Sequence, residues 1–184
     1  MSIDQRRSFT ATLTIPNYQL NFLKVFHGEP VIITETLFGG GHFIGAPQRR
    51  DHTNLLSFRR DDQKEKVSPL KLYFRCADDY YVMYVQSPQT YSWNCISMSP
   101  SRLLGAYPAA GSKTTSYNIL DSKGRIITLD DLRGPQHTIW LKVRNAGRLG
   151  DIKFRGSPHL YLGDAGDDDG IFFNLNIIER NVPY

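Results

Sequence analysis

The sequence predicts an all-β fold built from three pseudo-repeats of about 60 residues, and three observations carry that prediction. First, a glycine follows bulky apolar residues in HFIGAP (42–47), RLLGAY (102–107) and LYLGDA (160–165), which spaces Gly45, Gly105 and Gly163 at intervals of 60 and 58 residues. Second, NFLKVF (21–26), YVMYVQ (81–86) and IWLKVR (139–144) begin at the same two intervals. Third, no apolar pattern of period 3.6 runs for the three turns a stable helix needs.

The elements follow in order around these anchors. FTATLTI (9–15), LKLYFRC (70–76) and RIITLD (125–130) alternate or are rich in β-branched residues, and each reads as the strand that opens a unit. VIITET (31–36), WNCISM (93–98) and DIKFRG (151–156) are the next strands, bounded by Gly, Pro or Ser. LLSFRR (55–60), SYNIL (116–120) and IFFNLNII (171–178) follow the glycine steps. DQKEKV (62–67) has room for one helical turn.

A unit of four or five short strands cannot bury its own apolar face, so three must share one core. Solenoid repeats are shorter, and three propeller blades fall below the usual minimum of four. The pattern therefore predicts a β-trefoil, a six-stranded barrel closed by three hairpins, as one domain over 1–184 with units at about 9–69, 70–124 and 125–184. Units such as DIKFRGSPHLYLGDAGDDDGIFFNLNIIE resemble the repeat of the fascin, fibroblast growth factor and amaranthin-type trefoils over the whole chain. The Gln-x-Trp that ricin-type lectins carry in each unit is absent, so their sugar ligands are not implied.

Charge excludes some partners. The net charge is +4, but each half of the chain holds eleven Lys or Arg against nine Asp or Glu, and Arg49–Arg50 and Arg59–Arg60 have aspartates beside them. Nucleic-acid binding needs concentrated positive charge, so it is not expected. Nor is a membrane span, since no apolar stretch is long enough. The N-terminal segment lacks the apolar run of a secretory signal, which predicts a cytoplasmic protein, with signal-independent export as the alternative. Cys76 and Cys95 are then expected buried and reduced.

Catalytic signatures fail on inspection, so the chain reads as no enzyme and as needing no cofactor or metal. GAYPAAGSKT (105–114) resembles a phosphate-binding loop, but its spacing is wrong and it leads into a strand rather than a helix. The five histidines show no metal-ligand spacing. FGGGH (38–42) is either a turn or a loop that approaches a ligand closely.

The acidic loop DAGDDDG (164–170) is the sharpest polar feature. As an EF-hand it fails, because setting Gly170 sixth puts Ala165 first and Asn176 twelfth, where carboxylates are required. Its carboxylates can accept hydrogen bonds from sugar hydroxyls, and His159 and Tyr161 stand just before it. The candidate ligand site is therefore His159, Tyr161, Asp164, Asp167 and Asp168. Tyr80, Tyr81, Tyr84, Tyr91 and Trp93 form the densest aromatic stretch, and alternate residues of a strand there should be exposed.

The loops after the glycine steps read PQRRDHTN, AYPAAGSKTTS and DAGDDDG, which are basic, nearly neutral and acidic. Unequal loops argue for one asymmetric site. The expectation is a lectin-like module that recognises a glycan or glycoprotein. The alternative is a trefoil that binds a target protein, as a protease inhibitor, cytokine-like ligand or toxin does.

Overall fold

The computed structural model describes residues 2–36, 45–62, 65–109 and 114–183, together with the backbone of 38, 39, 42 and 43. The chain is all-β, with a closed barrel of six strands and further strands outside it. The barrel strands are β1 (Phe9–Thr14), β8 (Leu70–Ala77), β9 (Tyr80–Ser87), β12 (Tyr117–Leu120), β14 (Gln136–Val143) and β17 (Phe173–Arg180). Each pairs antiparallel with the next in that order, and β17 returns to β1 to close the ring. Closure removes the open edges that a sheet of this size would expose.

Period-two sequences make these strands. In β1 Phe9, Ala11 and Leu13 enter the core, as do Leu70, Leu72 and Phe74 in β8 and Phe173, Leu175 and Ile177 in β17. The alternate positions face outward.

Three outer hairpins flank the ring. They are β2 (Tyr18–Phe22) with β7 (Leu56–Arg60), β10 (Cys95–Met98) with β11 (Leu104–Tyr107), and β15 (Arg148–Lys153) with β16 (Leu160–Gly166). They touch one another cyclically. Leu55 bridges Gly105, Leu103 bridges Gly163, and Tyr161 pairs with Ser57. Leu55, Leu103 and Tyr161 meet in one buried cluster at this junction.

These registers correct the first glycine anchor. Ser57 stands where Gly105 and Gly163 stand, and Gly45 takes no part in the contact. The matching interval at Gly45 arises because the first hairpin carries an insertion between β2 and β7. That insertion holds α2 (Leu23–His27), the pair β3 (Ile32–Glu35) with β6 (Gln48–Asp51), and the short pair β4 (Phe38–Gly39) with β5 (His42–Phe43). NFLKVF is thus strand at Asn21 and Phe22 and helix from Leu23 onward, and the helix ends at Gly28, whose φ of 71° suits glycine.

Elsewhere the strand expected over 125–130 shrinks to β13 (Ile126–Ile127), because Asp131 accepts from the Thr128 N–H and turns the chain. A second short helix, α1 (Ile3–Arg7), starts in a capping box between Ser2 and Gln5. The helical turn expected over 62–67 includes residues 63 and 64, and the loops 38–42 and 106–116 include 40–41 and 110–113, all outside the described residues. Cys76 and Cys95 are buried free thiols. No helix among the described residues is long and apolar enough to cross a membrane.

Candidate functional site

The site predicted from the sequence separates into two places. His159 precedes β16 and Asp167 follows it, so a seven-residue strand of roughly 20 Å lies between them.

At the first end Tyr161 is 0% exposed. Its hydroxyl lies 2.7 Å from His52 Nδ1 and 2.6 Å from Ser157 Oγ, so it is spent inside the protein and removed from any ligand site. His159 is half-buried with its ring edge-on to His27, and burial and the neighbouring His27 lower its pKa. At the far end Asp164 is 5% exposed. Burial opposes its ionisation, but the hydrogen bonds from Arg102 and from backbone N–H groups outweigh burial and hold the carboxyl below its ordinary value. Asp164 thus braces the third hairpin against Arg102 of the second. Asp167 is ion-paired with Lys142 at 2.9 Å, and Asp168 is exposed on the turn. Among the described residues no group of three or more His, Cys, Asp or Glu is arranged to hold a metal ion.

A different surface gathers unpartnered polar groups. On β1, β17 and β14 the outward positions fall into two cross-strand rows, Thr14–Asn174–Thr138 and Thr12–Asn176–Gln136. Lys71 of β8 extends the second row. Thr12, Thr14 and Lys71 are half-buried, and the other four are exposed. None of the six amides and hydroxyls makes a hydrogen bond to the described residues, although they could both donate and accept. A cleft of about 440 Å³ lies over Gln136, Thr138, Asn174 and Asn176. It adjoins one of about 450 Å³ lined by Asn17, Tyr18, Asp61 and Lys66, the two sharing Thr14 and Asn174.

Farther along the same wall stands an aromatic platform. Tyr73 is two residues from Lys71 and on the same face of β8, and it pairs with Tyr84 on β9. Trp93 leans on both, with ring centroids 6.4 and 6.5 Å away, yet is itself 59% exposed. Its φ of 64° is left-handed, which is costly for a bulky residue. The turn enforces that conformation through a 2.7 Å hydrogen bond from Trp93 N–H to the Val85 carbonyl. The exposed aromatic expected in this stretch is thus Trp93, while Tyr81 and Tyr91 are buried.

The wall residues on β1, β14 and β17 were missed by motif reasoning because they are distant in sequence. Their signal was uncharged polar residues at alternate positions of FTATLT, QHT and FNLN. No family model, curated protein or solved structure matches the chain.

Proposed function

We propose that the chain is a β-trefoil that binds carbohydrate without catalysis, through the outer wall of the barrel. The fold reading is supported by the cyclic contacts Leu55–Gly105, Leu103–Gly163 and Tyr161–Ser57. In that reading the units are 9–77, 80–120 and 136–180, each an outer hairpin between two barrel strands, and the first is enlarged by the insertion.

The observation that carries the binding reading is the pair of amide and hydroxyl rows with no partners among the described residues. Sugar hydroxyls donate and accept at once, as Asn, Gln and Thr side chains do, whereas lysines and carboxylates offer only one role. Trp93 adds a π-face against which an apolar sugar face stacks. A glycan array probed with the wild-type chain and with Asn174→Ala/Asn176→Ala tests it. The double variant should lose the signal while Asp168→Ala keeps it. A wild-type chain that binds no glycan would sink the reading.

One feature favours the protein-binding alternative. An exposed tryptophan on a buried tyrosine floor is also how a partner protein is anchored. In that case Trp93→Ala would abolish capture of a protein target, and the amide variants would be silent.

A further inference from the structure

Building on the carbohydrate reading, we infer that the ligand is an uncharged oligosaccharide of several sugar residues, laid across the strands from β14 to Trp93, and not a single terminal sugar. The first argument is span. From Gln136 on β14 through Asn176 and Thr12 to Lys71 on β8 are three interstrand steps, roughly 14 Å. The platform of Trp93 lies one further same-face step along β8, at Tyr73. A single ring on the amides cannot also reach the indole.

The second argument is shape. The two rows are two residues apart along their strands, roughly 7 Å, which makes an elongated strip that continues across two adjoining clefts. Beyond Thr14 the rows run on into the adjoining cleft of about 450 Å³, flanked by Tyr18 and Asn17. Thr10 continues the line of Thr12 and Thr14 toward Tyr73. It is 3% exposed, so the join between amides and aromatics is a covered step and not itself a ligand contact.

The third argument is charge. Lys71 is the one formally charged side chain within the rows. Lys66 at the border is ion-paired with Asp61, Arg75 stands beyond Tyr73, and Glu179 on β17 lies opposite Thr10, so no excess of positive charge gathers there. Sulfated or carboxylated glycans require clustered guanidinium or ammonium groups, and one lysine is not a cluster. Trp93 completes a preorganised platform, since its backbone is pinned before any ligand arrives.

Calorimetric titration with cello-, xylo-, manno- and chito-oligosaccharide ladders of one to six sugars tests the inference, with sialyllactose and dextran sulfate as anionic arms. For one ladder, affinity should climb about tenfold or more from the monosaccharide and then level off once the strip is filled. Added salt should change it little. Trp93→Ala and Asn174→Ala/Asn176→Ala should each reduce the long oligomer to the affinity of a short one, with unchanged thermal unfolding reporting intact folding. A monosaccharide that binds through the same wall as tightly as the long oligomers would overturn this inference and leave the carbohydrate reading standing. So would binding confined to the anionic arms. No binding to any glycan in either assay would remove both.

Discussion

A methyl group added at Gly163 would run into the carbonyl oxygen of Arg102, and one at Gly105 would come within 2.9 Å of the carbonyl of Asn54. Each carbonyl also accepts from the next residue's N–H, Asp164 and Ala106 respectively, so neither can retreat without losing a hydrogen bond. At the matching position in the first hairpin, Ser57 donates from Oγ to the carbonyl of Leu160 at 2.6 Å. The three sites solve one packing problem, twice by deleting the side chain and once by bonding it. Gly163→Ala should therefore cost about 3 kcal/mol, with Gly105→Ala cheaper and Ser57→Ala near 1 kcal/mol. Urea denaturation of the three variants checks the order, and equal losses would refute it. This also explains why Gly105 and Gly163 were legible as repeat anchors and the third was not: serine hides the shared constraint, and Gly45 mimics its spacing. At the same scale, burial pushes the Cys76 thiol up to about 11 and raises Cys95 as well. Both should resist a thiol-modifying reagent at mildly alkaline pH in the folded chain and react once it is unfolded in denaturant.

Among the elements, the insertion between β2 and β7 is the one without a counterpart in the other hairpins. Its return segment is locked by His52, which packs edge-on against Phe154 and Tyr161. Neutral His52 can accept the Tyr161 hydroxyl proton at Nδ1, and a protonated ring cannot. Burial lowers its pKa, and the nearby His159 and Arg50 act in the same sense, against Asp51 and Glu35. The sign follows from linkage. The unfolded chain takes up the proton first, so stability is present above the unfolded value near 6.5 and is lost as pH falls below it. His159 acts in the same direction. Asp51, whose carboxyl is held down by hydrogen bonds from Thr53, contributes in a lower window, as pH falls below about 4. Thermal unfolding should therefore drop between about pH 6.5 and 5, and His52→Phe should flatten part of that drop. A variant with the wild-type slope would exclude His52 as the source. The strands of this region were readable from alternation, as in VIITET and LLSFRR, but α2 was masked by its place in an apparent strand repeat.

On the scale of the molecule, the framework and the polar wall proposed to bind ligand are separate products of barrel closure. The wall draws Thr12 and Thr14 from the first strand, Gln136 and Thr138 from the fifth, and Asn174 and Asn176 from the sixth, and only the pairing of β1 with β17 and β17 with β14 makes them neighbours. Strand alternation revealed that each residue faces outward, but no local pattern says which strands will adjoin. The acidic loop, by contrast, is contiguous in sequence, and in the fold Asp164 braces Arg102 while Asp167 forms an exposed ion pair with Lys142. His52, Ser157 and Tyr161 share no hydrogen bond with the wall residues, so perturbing one group should leave the other intact. His52→Phe should lower the unfolding temperature at neutral pH and keep glycan affinity within about twofold, while Asn174→Ala/Asn176→Ala should do the reverse. Combined, the effects should add to within about 0.5 kcal/mol, as expected for sites without shared partners. Differential scanning calorimetry and titration on the same four proteins measure both quantities. A loss of affinity in His52→Phe comparable to that of the amide variant would mean that the insertion shapes the wall, and that the binding surface is larger than the rows on three strands.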